Sequence, residues 1–103
     1  MQITVRKCEV SPKAQERATT LIQKLDKYDP DILSVELVFE ENRHTRSVEG
    51  ILSIARAEPV VATGSGDDFL AAADDLAEKL AKILRRRRSM VRDRARAGAP
   101  SEA

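Results

Sequence analysis

The sequence has few of the residues from which catalytic and metal sites are usually built. Its 103 residues include one cysteine, one histidine, one tyrosine, two phenylalanines and no tryptophan. A single cysteine excludes an internal disulfide and supplies no cysteine framework for a metal ion. We therefore expect no metal, no other cofactor, and a core built from aliphatic side chains.

Long apolar runs are also missing. No stretch approaches the roughly 20 apolar residues that a membrane-spanning helix needs. The first residues, MQITVR, alternate between polar and apolar as a strand does, whereas a signal peptide would contain an apolar block. These absences favour a cytoplasmic protein with no membrane partner, and a length of 103 residues suits one domain.

Charge is abundant and unevenly distributed. The segment 82–96, KILRRRRSMVRDRAR, contains eight basic residues and one acid, and the remainder contains ten basic and sixteen acidic residues. The formal net charge of +1 therefore combines a segment of +7 with a remainder of −6. Arginines at this density repel one another unless an anion meets them, and the planar guanidinium group suits phosphate.

Hydrophobic periodicity divides the chain into four strands and two helices. Ser11 and Pro12 are typical of a helix start, a hydroxyl N-cap followed by proline in the first turn. Alternation in the second strand predicts four inward-facing apolar residues: Leu33, Val35, Leu37 and Phe39. The predicted elements are a strand at 2–7, a helix at 12–28, strands at 32–41, 46–56 and 60–63, and a helix from 67 to about 95.

The last helix is predicted to begin after a glycine-rich break. The stretch GSGDD at 64–68 would end the sheet, and Ser65 with Asp68 three residues later resembles a capping box. An apolar stripe at helical spacing follows: Phe69, Ala72, Ala73, Leu76, Leu80, Ile83 and Leu84. The tail at 97–103 is rich in small residues, and we expect it to be disordered or the stub of a linker.

The predicted order is β-α-β-β-β-α, an α+β fold in a single domain at 1–96. The first helix would join two parallel strands by a right-handed crossover, and the later strands would form an antiparallel meander. Both helices need cover for their apolar stripes, so we expect them on one face of a four-stranded mixed sheet. This arrangement would be like that of double-stranded-RNA-binding domains.

Catalytic chemistry has little support in the sequence. His44 lies in a predicted hairpin turn and is expected to be solvated. The doublets Asp67-Asp68 and Asp74-Asp75 each consist of adjacent helical residues, which diverge by about 100° and do not converge on one point. We therefore predict that the protein is not an enzyme and has no small-molecule substrate.

Both helices carry basic residues at helical spacing beside their apolar stripes. If the helices lie side by side, these residues would line one basic groove that follows phosphates. Because aromatic side chains for base stacking are scarce, structured RNA recognised by shape fits better than a single strand. The predicted RNA-binding residues are Lys13, Arg17, Lys24, Lys27, Lys79, Lys82, Arg85, Arg86, Arg88 and Arg92.

Several short motifs resemble those of a known family, the ribosome hibernation-promoting factors, also called ribosome-associated inhibitors or ribosomal subunit interface proteins. The likeness extends from residue 1 to about residue 90, and GDDFLAAAD at the start of the last helix is its most specific part. The motifs are MQITV at 1–5, EVSP at 9–12, KLDKY at 24–28, GDDFLAAAD at 66–74 and DLAEKL at 75–80.

The resemblance implies the same β-α-β-β-β-α fold and binding to the small ribosomal subunit, in the channel where mRNA and tRNA would lie. Basic helix flanks would contact ribosomal RNA and block translation during stress or stationary phase. Two positions depart from the family pattern, because Leu70 stands where tyrosine is common and Asp29 where an aromatic residue is frequent. The C-terminal module with which long relatives pair ribosomes is not in this sequence, so we expect either a short form or the N-terminal domain of a long form.

The leading hypothesis is therefore a non-enzymatic translation inhibitor that binds the small ribosomal subunit through ribosomal RNA, with ribosomal proteins left open as further contacts. An alternative of another class stays open. The arginine-rich helix could belong to a regulatory module that docks on an acidic protein or on a membrane surface.

Overall fold

A computed structural model describes residues 2–6 and 9–101, with side chains as far as Arg87. It contains one four-stranded sheet in the order β1-β2-β3-β4, in which β1 is parallel to β2 and the other pairs are antiparallel. The elements are β1 (Gln2–Arg6), α1 (Pro12–Gln23), a short 3-10 helix (Lys24–Lys27), β2 (Ile32–Glu41), β3 (Arg46–Ile54), β4 (Val60–Gly66) and α2 (Phe69–Ser101). The predicted α+β fold is confirmed, whereas the likeness to double-stranded-RNA-binding domains stays a prediction.

The first helix begins and ends where its sequence directs. The Ser11 side chain accepts a hydrogen bond from the Ala14 amide at 3.2 Å, and Pro12 occupies the first turn, where its missing N–H is harmless. The last turn tightens into the 3-10 helix, whose C-cap is Tyr28, the residue near which the first helix was predicted to end. Asp29 then closes the turn, because its Oδ1 accepts a hydrogen bond from the Asp31 amide at 3.0 Å.

One apolar core lies between the sheet and the two helices. Leu37, Leu52 and Leu80 are completely buried there, and the edge-to-face pair of Phe39 and Phe69, with ring centroids 5.5 Å apart, lies at one end. The remaining core residues alternate along the strands and recur at helical spacing in α1 and α2: Ala14, Ala18, Ile22, Leu25, Ile32, Val35, Val48, Ile54, Ala72, Ala73, Leu76 and Leu84. Both helices therefore cover the same face of the sheet.

One inward-facing residue was predicted wrongly. Leu33 is 60% exposed, whereas its neighbour Ile32 is buried at 4%. The pairing of β2 with β3 shifts between Ile32 and Ser34, which places an extra residue in β2. Because a bulge of this kind reverses the alternation on one side of it, Ile32 and Val35 both reach the core and Leu33 does not.

The glycine-rich stretch was also assigned wrongly. Gly64, Ser65 and Gly66 belong to β4, and α2 is capped by Asp68, whose Oδ1 accepts a hydrogen bond from the Ala71 amide at 2.7 Å. A Cβ on Gly64 would lie 2.3 Å from the Leu76 amide nitrogen and 2.4 Å from the Ala72 carbonyl oxygen. The glycine is needed because the backbone of α2 lies directly on the backbone of β4.

The last helix is longer than predicted. α2 extends to Ser101, past the end near residue 95 that the sequence indicated. Among the described side chains, Leu84 is the last buried apolar residue of this helix. The boundaries 1–96 and 97–103 stay predictions, because the side chains after Arg87 lie outside the described residues. None of the described helices is long and apolar enough to cross a bilayer.

Candidate nucleic-acid interface

The predicted RNA-binding residues are distributed over two sides of α2. Toward β4, Lys79, Lys82 and Arg86 line a cleft together with Ala62 and Ile83. Toward α1, another group lines a shallower groove with Leu70: Lys13, Glu16, Arg17 and Thr20. The single basic groove that the sequence predicted is therefore divided, because α2 stands between the two groups.

The cleft toward β4, which we call the β4-side cleft, has a volume of about 690 Å³. Ala62 and Ile83 supply its apolar surface, and Lys79, Lys82 and Arg86 supply its cations. Lys82 and Arg86 are exposed, and no carboxylate among the described side chains forms a salt bridge with either. Two cations are thus available to an anion at this cleft.

Lys79 is held in place by its neighbours. Its Nζ donates to the Thr63 carbonyl oxygen at 3.1 Å and lies 3.0 Å from Oδ2 of Asp75. The same Asp75 oxygen accepts a hydrogen bond from the Ser65 amide at 3.0 Å. The Ser65 hydrogen bond, followed by the Lys79 ammonium, lowers the pKa of Asp75 below its usual value of 3.8. These contacts join α2 to β4 and orient the lysine at the edge of the cleft.

The groove toward α1 is closer to charge balance. Arg17 donates two hydrogen bonds, at 3.1 and 3.3 Å, to the same Oδ1 of Asp74. Glu16 adds a second carboxylate to a groove of about 320 Å³. Lys13 is the cation there that has no described carboxylate partner. Arg17 is therefore less available to phosphate than the sequence suggested.

The two helices bring cations together around Tyr28. Its ring lies 5.1 Å from the Lys27 ammonium on one element and 5.9 Å from the Arg85 guanidinium on the other. Cations at such distances are attracted by the face of an aromatic ring. The ring thereby offsets part of the repulsion between a lysine of the 3-10 helix and an arginine of α2.

The four consecutive arginines at 85–88 do not have one role. Arg85 and Arg86 are exposed, whereas Arg87 turns inward and forms a salt bridge with Oδ2 of Asp29. Asp29, 7% exposed, is a buried charged residue, and its other oxygen is occupied by the Asp31 amide. Arg87 is thus a structural residue. The side chains of Arg88 and Arg92 lie outside the described residues.

This arrangement favours recognition of phosphate over catalysis. Among residues 2–6 and 9–87 there is no group of three or more histidine, cysteine, aspartate or glutamate side chains that could hold a metal ion. His44 is exposed in the turn between β2 and β3, as predicted. Among the described side chains, the surface of the two helices offers lysines and arginines and one aromatic ring, Tyr28, which already contacts two cations, a composition that suits contacts with the nucleic-acid backbone.

Comparison with known proteins identifies the family. The sequence profile of the Sigma 54 modulation protein / S30EA ribosomal protein family matches residues 1–92, which is most of the chain. The protein belongs to this family. No curated protein sequence matches the chain.

Solved structures show how widely this S30EA-family fold is shared. A ribosomal subunit interface protein from Coxiella burnetii superposes with a TM-score of 0.79 at 19% identity, covering 86% of this chain and 99% of that one. The N-terminal domain of Protein Y from Thermus thermophilus superposes with a TM-score of 0.72 at 18% identity, covering 84% and 98%. At these identities the likeness establishes the fold.

Sequence reasoning missed two residues that organise the basic surface of this S30EA-family protein. Asp29 was seen as a helix stop, and its ion pair with Arg87 joins positions 58 residues apart. Tyr28 was predicted as the last apolar residue of the first helix; it does pack against the core, and its ring in addition contacts two cations. The sequence did contain one signal for these contacts. Asp29 directly follows Tyr28, the only tyrosine, and the arginines that could contact both residues are clustered in one segment. Which of the basic residues touches RNA stays a prediction.

Proposed function

We propose that the protein is a non-enzymatic ribosome hibernation factor that acts in the cytoplasm. It binds the small ribosomal subunit at the channel that otherwise holds mRNA and tRNA, and it inhibits translation under stress or in stationary phase. The helix layer is the surface that meets ribosomal RNA.

The observation that carries this proposal is the distribution of cations without partners. Lys82 and Arg86 at the β4-side cleft, and Lys13 toward α1, have no described carboxylate partner, although acids are frequent in the chain. Exposed like charges that are left unpaired on one layer destabilise the folded chain and become favourable when phosphates meet them. Lys24 and Arg85 are further exposed cations near the junction of the helices.

Two further observations support ribosomal RNA as the anion. The scarcity of aromatic side chains argues against binding unpaired bases, which leaves structured RNA recognised through its backbone. The names of the family and of its structural relatives refer to a ribosomal protein and to the ribosomal subunit interface. A domain seated at that interface in the decoding channel would exclude mRNA and tRNA, and this would stop initiation without any chemical reaction.

The proposal is tested by co-sedimentation with purified small subunits at rising salt. Binding should weaken with a log–log slope of about −0.7 to −0.9 for each phosphate contacted. The double variant Lys82→Glu/Arg86→Glu should lose binding at physiological salt, and its residual slope at low salt should be shallower by about 1 for each lost contact.

Arg43→Glu/Arg56→Glu is the matched control, because it makes the same charge change in the two exposed hairpin turns. It should retain most of the affinity. Equal losses in both variants would mean that net charge alone governs binding. Full retention in Lys82→Glu/Arg86→Glu would place the RNA contact elsewhere.

The position on the subunit is tested by competition. Pre-bound protein should prevent a labelled tRNA and mRNA from forming a complex on small subunits, and it should inhibit a reconstituted translation reaction. Simultaneous binding of tRNA and protein would contradict the decoding channel. Binding that free structured RNA cannot displace would favour an acidic protein or membrane surface as the partner. Polysome profiles of growing and stationary cells, probed for the protein, test the stress role.

A further inference from the structure

None of the described elements covers the face of the sheet opposite the helices, and this face carries a distinct set of residues. Along β2, Glu36, Val38 and Glu40 alternate with the core residues. On β3 and β4, Glu49, Ile51 and Val61 also point to this side, and Val61 is 53% exposed. We call these six residues the acidic sheet face.

The strand register brings the apolar members together. Ile51 lies opposite Glu36 on one side and opposite Val61 on the other. Val38 lies opposite Glu49, one step diagonally from Ile51. Directly opposite side chains in a sheet are about 5 Å apart at Cβ, so Val38, Ile51 and Val61 form a continuous apolar strip bordered by carboxylates.

The carboxylates on this face are only partly neutralised. Arg6 of β1 forms a salt bridge with Glu36 at 2.5 Å. Glu40 and Glu49 have no salt-bridge partner among the described side chains. The face therefore has the opposite sign to the helix layer, and it would repel RNA and anionic lipid.

We propose that the acidic sheet face binds a lysine- or arginine-rich segment of another protein, in extended conformation, with aliphatic side chains between its cations. Glu36, Val38 and Glu40 are alternate residues of one strand, separated by about 6.6 Å per step. An extended segment running along β2 presents its own alternate side chains at the same spacing. The pattern cation-x-aliphatic-x-cation therefore places one cation on Glu40, the aliphatic side chain on the strip, and the other cation beside Glu36, whose carboxylate it shares with Arg6.

This inference does not rest on the proposed function, since it concerns the opposite side of the domain. It goes beyond RNA binding, because it assigns a protein partner of stated chemistry to a surface that cannot bind a polyanion. If both proposals hold, the domain lies between RNA on the helix layer and a basic protein on the sheet.

The test uses the full chain and a labelled peptide that repeats Lys-Ser-Val-Ser, with binding measured by fluorescence anisotropy and mapped by amide chemical shifts. The wild type should bind, with shifts on β2 and β3. Glu40→Lys/Glu49→Lys should weaken binding about tenfold or more, since each exposed attraction is replaced by a repulsion. A peptide with serine in place of valine should bind several-fold less tightly.

Asp31→Lys/Glu58→Lys is the matched control, because it makes the same charge change at exposed positions at the other end of the sheet. It should change the affinity by less than about threefold, and both double variants should keep the wild-type unfolding midpoint. Lys82→Glu/Arg86→Glu should leave peptide binding intact, which separates this result from any result on RNA.

Three outcomes would overturn the proposal. The first is the absence of peptide binding at low salt, and the second is an equal loss in both double variants. The third is concentration-dependent self-association of the wild type that Glu40→Lys/Glu49→Lys abolishes, because a second copy of the chain would then be the occupant.

Discussion

The two faces of the sheet are built from the same strands but differ in their environment: one packs against the helices, and the other is left uncovered by the described elements. The face under α1 and α2 is apolar, and α2 lies on it so closely that β4 needs glycine. The other face carries carboxylates around a short apolar strip. The helices that cover the first face carry the cations on their outer side. The sheet and the two helices therefore lie between an acidic surface and a basic one, although the whole chain carries a net charge of only +1.

This difference shows how a small domain can keep two charged surfaces apart. Ion pairs neutralise some of the cations on the helices, such as Arg17 and Arg87, whereas other cations remain available to bind an anion. Side-chain alternation along the strands then sends the glutamates of β2 and β3 to the far side. The separation of charge depends on the position of each charged residue within its helix or strand, and it cannot be read from the amino-acid composition.

The largest effect is expected where α2 touches β4. Gly64→Ala should destabilise the protein by about 3 kcal/mol, because the added methyl group meets backbone atoms that cannot move independently. Gly50→Ala is the control on the same face, since its methyl group would meet the flexible ends of Leu76 and Leu80 at 3.2–3.4 Å. It should shift stability by less than about 1 kcal/mol. Equal effects in chemical denaturation would contradict the close packing.

The bulge in β2 can be tested by replacing leucine with alanine at two positions of this strand, one facing the core and one facing solvent. Leu37→Ala should cost about 3 kcal/mol, because it leaves a cavity at a completely buried position. Leu33→Ala should cost less than about 0.5 kcal/mol, because Leu33 is 60% exposed. A large loss in Leu33→Ala, measured by urea unfolding, would restore the simple alternation that the sequence suggested.

The ion pair between Asp29 and Arg87 should be stronger than the ion pair between Arg6 and Glu36 on the acidic sheet face. A double-mutant cycle with Asp29→Asn and Arg87→Gln should give a coupling of about 1–2 kcal/mol, because the carboxylate is nearly buried. The cycle with Arg6→Gln and Glu36→Gln should give about 0.5 kcal/mol, since Arg6 is largely exposed. Similar couplings would show that Asp29 is solvated in solution.

The smallest effect concerns acid stability. Because its carboxylate is hydrogen-bonded to Ser65 and lies beside Lys79, Asp75 has a lower pKa in the folded state than in the unfolded state. Its stabilisation is therefore present above the usual value of 3.8 and is lost as the pH falls below it.

Asp75→Asn should accordingly be less stable than the wild type near pH 7, and the difference should shrink in thermal unfolding below about pH 4. Asp67→Asn is the control, since no hydrogen bond to the Asp67 carboxylate is found among the described residues, and it should stay within about 0.5 kcal/mol of the wild type. A pH-independent difference for Asp75→Asn would mean that packing and not charge is responsible.

Hydrophobic periodicity alone was enough to predict the element order, the mixed sheet and almost all of the core. The reason is that an element with one buried face has apolar residues at regular spacing in its sequence. It also identified the basic residues and, through family motifs, the kind of protein. The errors at Leu33 and at Gly64 to Gly66 have one cause. The bulge in β2 depends on its pairing with β3, and the close contact at Gly64 depends on the position of α2. Neither feature can be recognised from the local sequence alone.

Only the tertiary structure decided which cations are available. The sequence presents Lys13, Arg17 and Lys79 as equivalent members of basic flanks and Arg87 as one of four consecutive arginines, whereas folding pairs Arg17 with Asp74 and Arg87 with Asp29. It also divides the predicted groove by placing α2 between its two halves. The physical reason is that an ion pair depends on distance in space, and the partners of these arginines lie 57 and 58 residues away along the chain.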